Sequence, residues 1–252
     1  MDIKAEVDRI IHFIKDIVQK SKTEGIIIGL SGGIDSSLTA TLCVRALGKE
    51  KVFALILPCH SAPEDVEDAT LVANHLGIKF KIIDISEAYD IFLAALSQGQ
   101  EISDLAKANL KPRLRMCSLY FYANHMNYLV AGTGNKSEDE IGYFTKYGDG
   151  GVDFLPIQHL YKREVREMAR FLNVPEKIVK RKPTAGLWEG QTDEDEITNQ
   201  LGFPVTYEVL DEMLDKLINN RYDPTDEKYQ KLIELREKNK HKLQVPPALK
   251  RE

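Results

Sequence analysis

Short apolar runs recur along this chain and constrain its fold more than any other feature. They cover residues 26–30, 52–57, 80–83 and 128–131. Helical patterns separate the first three runs, and the longer gap before the fourth has room for helices at residues 86–96 and from about Lys111, where Pro112 suits a first turn. Such runs are typical of parallel strands covered by helices on both faces and joined by right-handed crossovers. The sequence therefore predicts an α/β protein with a doubly wound parallel sheet.

The rest of the chain predicts further helices and one irregular region. Apolar residues fall at helical spacing in residues 3–18, and helical patterns return at residues 162–172, 206–218 and 226–240. Between residues 132 and 153, six glycines and several charges replace the periodicity. Aromatic residues in this stretch favour a functional loop region over a flexible linker. A length of 252 residues fits one domain over residues 1–252, without a second catalytic domain.

Charge and cysteine content exclude several classes of protein. The formal net charge of −5 argues against a protein that coats nucleic acid, because such binding relies on lysine and arginine. The first residues lack the apolar core of a signal peptide, and no stretch reaches membrane-spanning length. Cys43, Cys59 and Cys117 are far apart and form no C-x-x-C pair, so we interpret them as reduced thiols. We therefore expect a cytoplasmic protein without a membrane or nucleic-acid partner.

A glycine-rich turn joins the first predicted strand to a helix. Glycines allow close backbone approach, serine hydroxyls add donors, and the helix N-terminus offers unpaired N–H groups, so the turn suits a phosphate. It contains no Walker lysine and no G-x-G-x-x-G pattern, which excludes two familiar phosphate loops. From these residues alone an ordinary strand-to-helix turn remains the alternative. The turn consists of Gly29, Leu30, Ser31, Gly32, Gly33, Ile34, Asp35 and Ser36.

Residues 31–37 read Ser-Gly-Gly-Ile-Asp-Ser-Ser and resemble the S-G-G-x-D-S signature of the ATP pyrophosphatase superfamily. Members of that superfamily cleave ATP between the α and β phosphates. The loop holds pyrophosphate while a substrate oxygen attacks the α phosphorus and forms an adenylate. The absence of a Walker lysine agrees with this chemistry, because the transferred group is AMP.

Four further segments narrow the resemblance to the ammonia-dependent NAD synthetases. They are residues 109–116, 132–138, 142–150 and 182–194, and the likeness runs from about residue 26 to residue 196, with weaker agreement to His241 and Lys242. The resemblance implies that the chain joins ammonia to the nicotinate carboxylate of nicotinic acid adenine dinucleotide (deamido-NAD). ATP would be the co-substrate, and AMP and pyrophosphate would be released.

The resemblance also implies roles for individual residues. Asp35 and Glu138 would bind Mg²⁺, and together with Lys162 they would form the catalytic group. From the residues alone, Asp35 is as readily a helix cap, and the cations are more often exposed or structural. ATP would contact the turn from Gly29 to Ser36 and also Thr133, Lys162 and Thr184. Deamido-NAD would contact Arg113, Lys146, Asp153, His241 and Lys242.

The resemblance further implies a homodimer, with an interface helix at residues 111–127 whose apolar contacts come from Leu114, Leu119 and Met126. Burial of these residues against their own sheet is the alternative. The likeness across most of the chain leaves no glutaminase domain, although it is compatible with a separate glutaminase partner. Two rival functions are a tRNA-modifying adenylating enzyme and an ATP-binding module without catalysis.

Two expectations concern the stretch at residues 183–204, which is polar and lacks periodicity. We expect a mobile lid there that excludes water from the adenylate, with Trp188 as its reporter. The acidic residues 193–196 are expected to open a helical turn or to face solvent, as an alternative to a metal site.

Overall fold

A four-stranded parallel sheet forms the centre of the protein. The structure is a computed structural model in which residues 1–184, 190 and 192–249 are described. The strands are β1 (Gly25–Gly29), β2 (Val52–Ile56), β3 (Lys79–Ile82) and β4 (Tyr128–Ala131), in the spatial order β3-β2-β1-β4. All three pairings are parallel, with Ile27 opposite Phe53 and Val130. The chain order reverses direction at β1, which confirms the predicted doubly wound α/β fold.

Eleven α-helices are assigned within the described residues, and two short 3₁₀ turns accompany them at Lys49–Lys51 and Lys240–Lys242. The α-helices are α1 (Ile3–Ser21), α2 (Ile34–Leu47), α3 (Pro63–Leu76), α4 (Ser86–Ser97), α5 (Asp104–Met126), α6 (Lys136–Ile141), α7 (Lys162–Phe171), α8 (Glu176–Lys180), α9 (Asp193–Leu201), α10 (Tyr207–Ile218) and α11 (Glu227–Asn239). In the described ranges, no helix is both long and apolar enough to cross a membrane.

Helices cover both faces of the sheet, as the alternation of side chains in β1 illustrates. Ile26 and Ile28 pack into one core with residues of α1, α2, α3, α7 and α8. Ile27 points to the other face and packs with residues of α4 and α5. Because successive side chains of a strand point to opposite faces, one continuous apolar run is buried on both sides.

The last three α-helices form a third core beside α6 rather than extending the sheet. Ile141 of α6 packs there with α9, α10 and α11, and Tyr207 is only 1% exposed. This packing brings the C-terminal part of the chain against the carboxyl edge of β4, which α6 follows after a short loop. The C-terminal helices are thereby close to any site at that edge.

Helix α5 begins earlier than the sequence predicted. The expected start near Lys111, with Pro112 in the first turn, is wrong, because the helix begins at Asp104 and Pro112 lies inside it. Ser103 caps the helix by accepting a hydrogen bond from the Ala106 backbone N–H, 3.4 Å away. A serine cap two turns before the proline therefore sets the start of the helix.

Short helices account for the other differences. The irregular region at residues 132–153 contains α6, and the polar stretch at residues 183–204 contains α9. Both are too short to show periodicity, but each follows a capping side chain, Asn135 or Thr192. The expected lid therefore includes a regular helix at its end. Trp188 lies outside the described residues, and the lid itself stays a prediction.

Candidate functional site

The glycine-rich turn forms the entrance to α2 at the carboxyl edge of β1. Gly33 is the N-terminal cap residue of α2, and no side chain caps this helix end. The hydroxyls of Ser36 and Ser37 donate to the Gly33 carbonyl at 3.1 and 2.7 Å, and the Gly33 N–H donates to the Ser31 hydroxyl at 3.2 Å. The loop is therefore held by its own serines, with a helix N-terminus behind it that favours an anion.

Gly32 explains why the turn requires glycine at its centre. Its φ of +80° lies in the region that L side chains rarely adopt, and a Cβ there would lie 2.8 Å from the Asp65 carbonyl oxygen and 2.9 Å from Cβ of Asp68. The loop thus rests directly on the beginning of α3. Any side chain at this position would push the loop away from that support.

Lys162 joins the two carboxylates that were expected to bind metal. Its ammonium lies 2.6 Å from Oδ2 of Asp35 and 2.9 Å from Oε1 of Glu138, and the lysine side chain is 1% exposed. Lys162 is the first residue of α7, Asp35 lies in the first turn of α2, and Glu138 lies in the first turn of α6. The structure therefore brings together the three predicted catalytic residues, and Asp35 does not act as a helix cap.

Asn135, which the sequence analysis did not select, holds the same two acidic residues in place. Its side-chain amide donates to Oδ1 of Asp35 at 3.0 Å, and its side-chain oxygen accepts from the backbone N–H of Glu138 at 3.1 Å. It is fully buried and caps α6. One side chain thus fixes both the start of α6 and the orientation of Asp35.

Two tyrosines extend the buried network to α9. The Tyr207 hydroxyl lies 2.8 Å from Oε1 of Glu138 and 3.2 Å from Oδ2 of Asp193, and that of Tyr143 lies 3.2 Å from Oδ1 of Asp193 and 2.5 Å from Oε2 of Glu196. The expectation for residues 193–196 is confirmed in that they open a helix. Of the two alternatives, opening a helix or facing solvent, Asp193 follows only the first, because its side chain is buried among the tyrosines.

Negative charge exceeds positive charge in this network. Burial raises the pKa of Glu138 to about 7, Lys162 opposes that shift, and Asp35 and Asp193 add to it. Burial lowers the pKa of Lys162, but the attraction of Asp35 and Glu138 outweighs burial, so the pKa is raised overall and the lysine is charged. Three carboxylates around one ammonium leave a site that attracts a further cation.

This charge balance fits a magnesium ion that is bound by protein carboxylates together with ligands from a substrate. Mg²⁺ commonly takes one or two protein carboxylates and completes its shell with phosphate oxygens and water. Asp35 and Glu138 supply the two carboxylates. Within the described residues, no three metal-ligating side chains converge on one point. The donor set therefore fits an ion that arrives with a phosphate ligand rather than one held in a complete protein cage.

Four of the five residues expected to bind the dinucleotide meet around the loop that follows α6. Arg113 is exposed, and its Nε donates to the Lys146 carbonyl at 3.3 Å. Nζ of Lys146 lies 3.4 Å from Nδ1 of His241. Lys242 donates from Nζ to the carbonyls of Gly142 and Phe144 at 2.7 and 3.1 Å. Lys242 therefore holds the loop in place, and Arg113, Lys146 and His241 line its outer side.

The remaining predicted contacts lie at the strand ends or beyond α8. Asp153 accepts from the Tyr120 hydroxyl at 3.1 Å and from the Val130 N–H at 2.7 Å, so its carboxylate links β4 to α5. Thr133 is half-buried two residues after β4, and Thr184 is exposed four residues after α8. Binding roles for these three residues stay predictions.

Comparison with known proteins agrees with this geometry. The sequence profile described as NAD synthase matches residues 6–246. The chain belongs to the NAD synthase family. It is 50% identical to the NH3-dependent NAD+ synthetase of Archaeoglobus fulgidus, over 98% of this chain and 97% of that protein.

Two solved structures related to this NAD synthase family member share its fold over nearly their whole length. The NMN synthetase of Francisella tularensis is 35% identical with a TM-score of 0.87, and 99% of each chain is covered. The NH3-dependent NAD synthetase of Campylobacter jejuni is 35% identical with a TM-score of 0.81, over 99% of this chain and 100% of that one. The two neighbours carry different product names, so the fold alone does not define the nucleotide that is amidated.

Proposed function

We propose that this protein is an ammonia-dependent NAD synthetase, a ligase of NAD biosynthesis. It converts deamido-NAD, ATP and ammonia into NAD, AMP and pyrophosphate. The observation that carries the proposal is the contact of Lys162 with both Asp35 and Glu138 beside a Ser-Gly-Gly-x-Asp-Ser loop. Membership of the family, with 50% identity over almost the whole chain, supports the same activity.

The reaction needs ATP because a carboxylate is a poor electrophile toward ammonia. A nicotinate oxygen attacks the α phosphorus of ATP, the bond to the β phosphate breaks, and pyrophosphate leaves. Ammonia then attacks the acyl carbon, the bond to AMP breaks, and the nitrogen loses a proton as the amide forms. AMP is a far better leaving group than an oxide ion, so adenylation makes the second step accessible.

The loop and the lysine have separate tasks in this reaction. The turn from Gly29 to Ser36 and the N-terminus of α2 bind the phosphates that leave as pyrophosphate, because their N–H groups and helix dipole favour negative charge. The buried ammonium of Lys162 lies at the same edge of the sheet, where it stabilises charge at the reacting phosphate. Thr133 and Thr184 complete the ATP contacts in this proposal.

Asp35 and Glu138 would hold Mg²⁺ together with ATP phosphates. The ion would neutralise charge on the phosphates as it accumulates on the leaving group. The excess of buried carboxylate around Lys162 supports this assignment. Substitution of either carboxylate by alanine should abolish most of the turnover at saturating substrates, and near-wild-type turnover would exclude that residue as a required ligand.

The dinucleotide would bind against the loop after α6. Arg113, Lys146 and His241 supply cations and donors on its outer side, while Lys242 and Asp153 keep the loop and β4 in place. Cations suit a substrate with a pyrophosphate and a carboxylate.

We further propose that the protein is a homodimer, with a second copy covering an apolar face of α4 and α5. Large side chains are exposed on these adjacent helices, among them Ile91 (64%), Leu96 (59%), Leu105 (68%) and Phe121 (69%). Leu114 and Leu119 are partly buried toward the sheet, so in this proposal the exposed residues of α4 and α5 supply most of the contact area. Light scattering should give twice the chain mass, and Phe121→Glu should reduce it.

Formation of NMN from nicotinic acid mononucleotide is the second candidate function, which the Francisella tularensis neighbour favours. One assay separates the candidates: purified protein with ATP, Mg²⁺ and ammonium receives either deamido-NAD or the mononucleotide at equal concentration. We expect NAD to form with the higher kcat/KM. A preference for the mononucleotide would replace the proposed substrate, and ATP binding without pyrophosphate release would leave only a binding module. Glutamine in ammonia-free buffer should give almost no product.

A cytoplasmic location stays a prediction.

A further inference from the structure

Arg115 lies at the carboxyl edge of the sheet although it belongs to α5. Its Nε donates to the carbonyl of Leu57 at 2.9 Å, and Leu57 is the residue directly after β2. In an open parallel sheet this edge is where ligands bind. The side chain therefore projects from the covering helix to the same edge as the phosphate loop.

The guanidinium of Arg115 differs from that of every comparable arginine. Four arginines are half-buried within the described residues, and three of them form ion pairs: Arg166 with Glu208, Arg181 with Asp65 and Asp68, and Arg236 with Glu140. The same residues contain no ion pair for Arg115, and burial lowers its pKa. Because a desolvated charge is costly unless it is paired, an anion from outside the chain would stabilise this arginine.

The nearby carboxylates are already committed to other groups. Asp65 pairs with Arg181, and Asp149 accepts a hydrogen bond from the Thr145 backbone N–H at 2.9 Å. A second buried cation, Lys111, lies one helical turn before Arg115 and is 9% exposed. The two cations are the largest sources of positive potential acting on buried Cys59. The attraction of Cys59, Asp149 and Asp65 therefore offsets the burial of Arg115 only in part, and its pKa stays lowered.

Position along α5 separates Arg115 from Arg113. Residues two apart on a helix point in nearly opposite directions, and Arg113 is exposed and donates to the Lys146 carbonyl. Of these two arginines, the resemblance assigned substrate contact only to Arg113. The half-buried guanidinium that has no ion pair within the described residues is that of Arg115.

We propose that Arg115 binds a phosphate group of one of the two nucleotide substrates. A guanidinium is planar and presents paired N–H donors that match phosphate oxygens, and Nε to Leu57 fixes its orientation before the ligand arrives. The inference rests on the proposed function for the identity of the nucleotides, which are ATP and deamido-NAD. It adds a substrate-binding residue outside the Ser-Gly-Gly-x-Asp-Ser loop and outside the Lys162 cluster.

Arg115→Gln tests the proposal, with binding measured by calorimetry for MgATP alone and for deamido-NAD alone. Loss of a charge-assisted contact should weaken the binding of one nucleotide by roughly tenfold to a hundredfold, and the binding of the other by less than about threefold. The nucleotide whose binding is weakened is the one whose phosphate Arg115 contacts. KM for that substrate should rise in parallel, with a smaller change in kcat.

Arg166→Gln is the matched control, because it removes a half-buried arginine that has a carboxylate partner. It should leave both nucleotide affinities within about twofold of wild type. If Arg115→Gln does not fold, Arg115→Lys carries the test, since it keeps the charge and loses the planar fork; it should weaken the same nucleotide by about threefold to tenfold.

A merely structural role would give a different result. If Arg115→Gln lowers the melting temperature while both affinities stay within twofold of wild type, or weakens both equally, the proposal is wrong. Because binding is measured without turnover, this outcome does not depend on the reaction. If the wild-type protein makes no NAD, the proposed function is contradicted. If Arg115→Gln nevertheless loses affinity for ATP, the proposed phosphate contact of Arg115 is supported.

Discussion

The ammonium of Lys162 lies 2.6 Å from a carboxylate oxygen of Asp35, although 127 residues separate them in the chain. The contact joins the first turn of α2 to the first residue of α7 at the carboxyl edge of the sheet. Two helices that begin at this edge thus meet through opposite charges. The same ammonium contacts Glu138, so one buried cation holds both carboxylates that would bind magnesium.

Lys162→Met should destabilise the protein and stop the reaction. It leaves Asp35 and Glu138 without their cation, which should lower the free energy of unfolding by about 3–5 kcal/mol. Turnover should fall at least about a hundredfold, because a preorganised charge at the phosphate is lost. Denaturant unfolding and kcat measure the two effects. Lys216→Met removes an exposed pair with Glu212 and should change neither; equal unfolding energies for both variants would contradict the account.

Asn135 allows the helix cap to be separated from the contact with Asp35. Serine caps about as well as asparagine, so Asn135→Ser keeps the cap of α6 and loses only the amide that donates to Asp35. Asn135→Ala loses both and should be less stable than the serine variant by about 1 kcal/mol. Turnover should fall to a similar extent in both. Full activity in Asn135→Ser would show that the asparagine serves only as a cap.

Tyr207→Phe tests the link between Glu138 and α9. Removing the hydroxyl takes the donor from Oδ2 of Asp193 and leaves Oε1 of Glu138 with Lys162 as its donor, which should reduce the free energy of unfolding by about 1–3 kcal/mol. Tyr229→Phe is the control, because this buried tyrosine belongs to the same core and its hydroxyl makes no hydrogen bond in the described part of the chain. A smaller loss in Tyr207→Phe than in the control would refute the network.

The raised pKa of Glu138 predicts how stability without ligands depends on pH. The pKa rises from an ordinary 4.5 to about 7 on folding, so the folded protein binds the proton more tightly than the unfolded chain does. Stability from this group is therefore complete below pH 4.5 and is lost as pH rises through about 7. Wild type should lose more stability than Glu138→Gln between pH 5 and pH 8. Parallel curves from denaturant titrations would contradict the assignment.

The sequence predicted the sheet more completely than the network around Lys162. β1, β2 and β4 are continuous apolar runs and β3 alternates lysines with Phe80 and Ile82, whereas α6, α8 and α9 are too short to show a pattern. Asn135 carried a usable signal, since an asparagine three residues before Glu138 is typical of a helix start. Tyr207 carried none, because its contacts with Glu138 and Asp193 depend on how α10 packs against α6 and α9. Nothing in the sequence gives a reason to select Arg115, because its lack of an ion pair within the described residues depends on the fold.

The fate of the substrate oxygen tests the central claim most directly. Deamido-NAD labelled with ¹⁸O in its nicotinate carboxylate is incubated with the protein, ATP, Mg²⁺ and ammonium, and the products are analysed by mass spectrometry. Attack of the carboxylate on the α phosphorus predicts NAD with one remaining label and AMP with the other, in equal amounts, and unlabelled pyrophosphate. Label in pyrophosphate or inorganic phosphate, or NAD formation without labelled AMP, would contradict adenylation at this site.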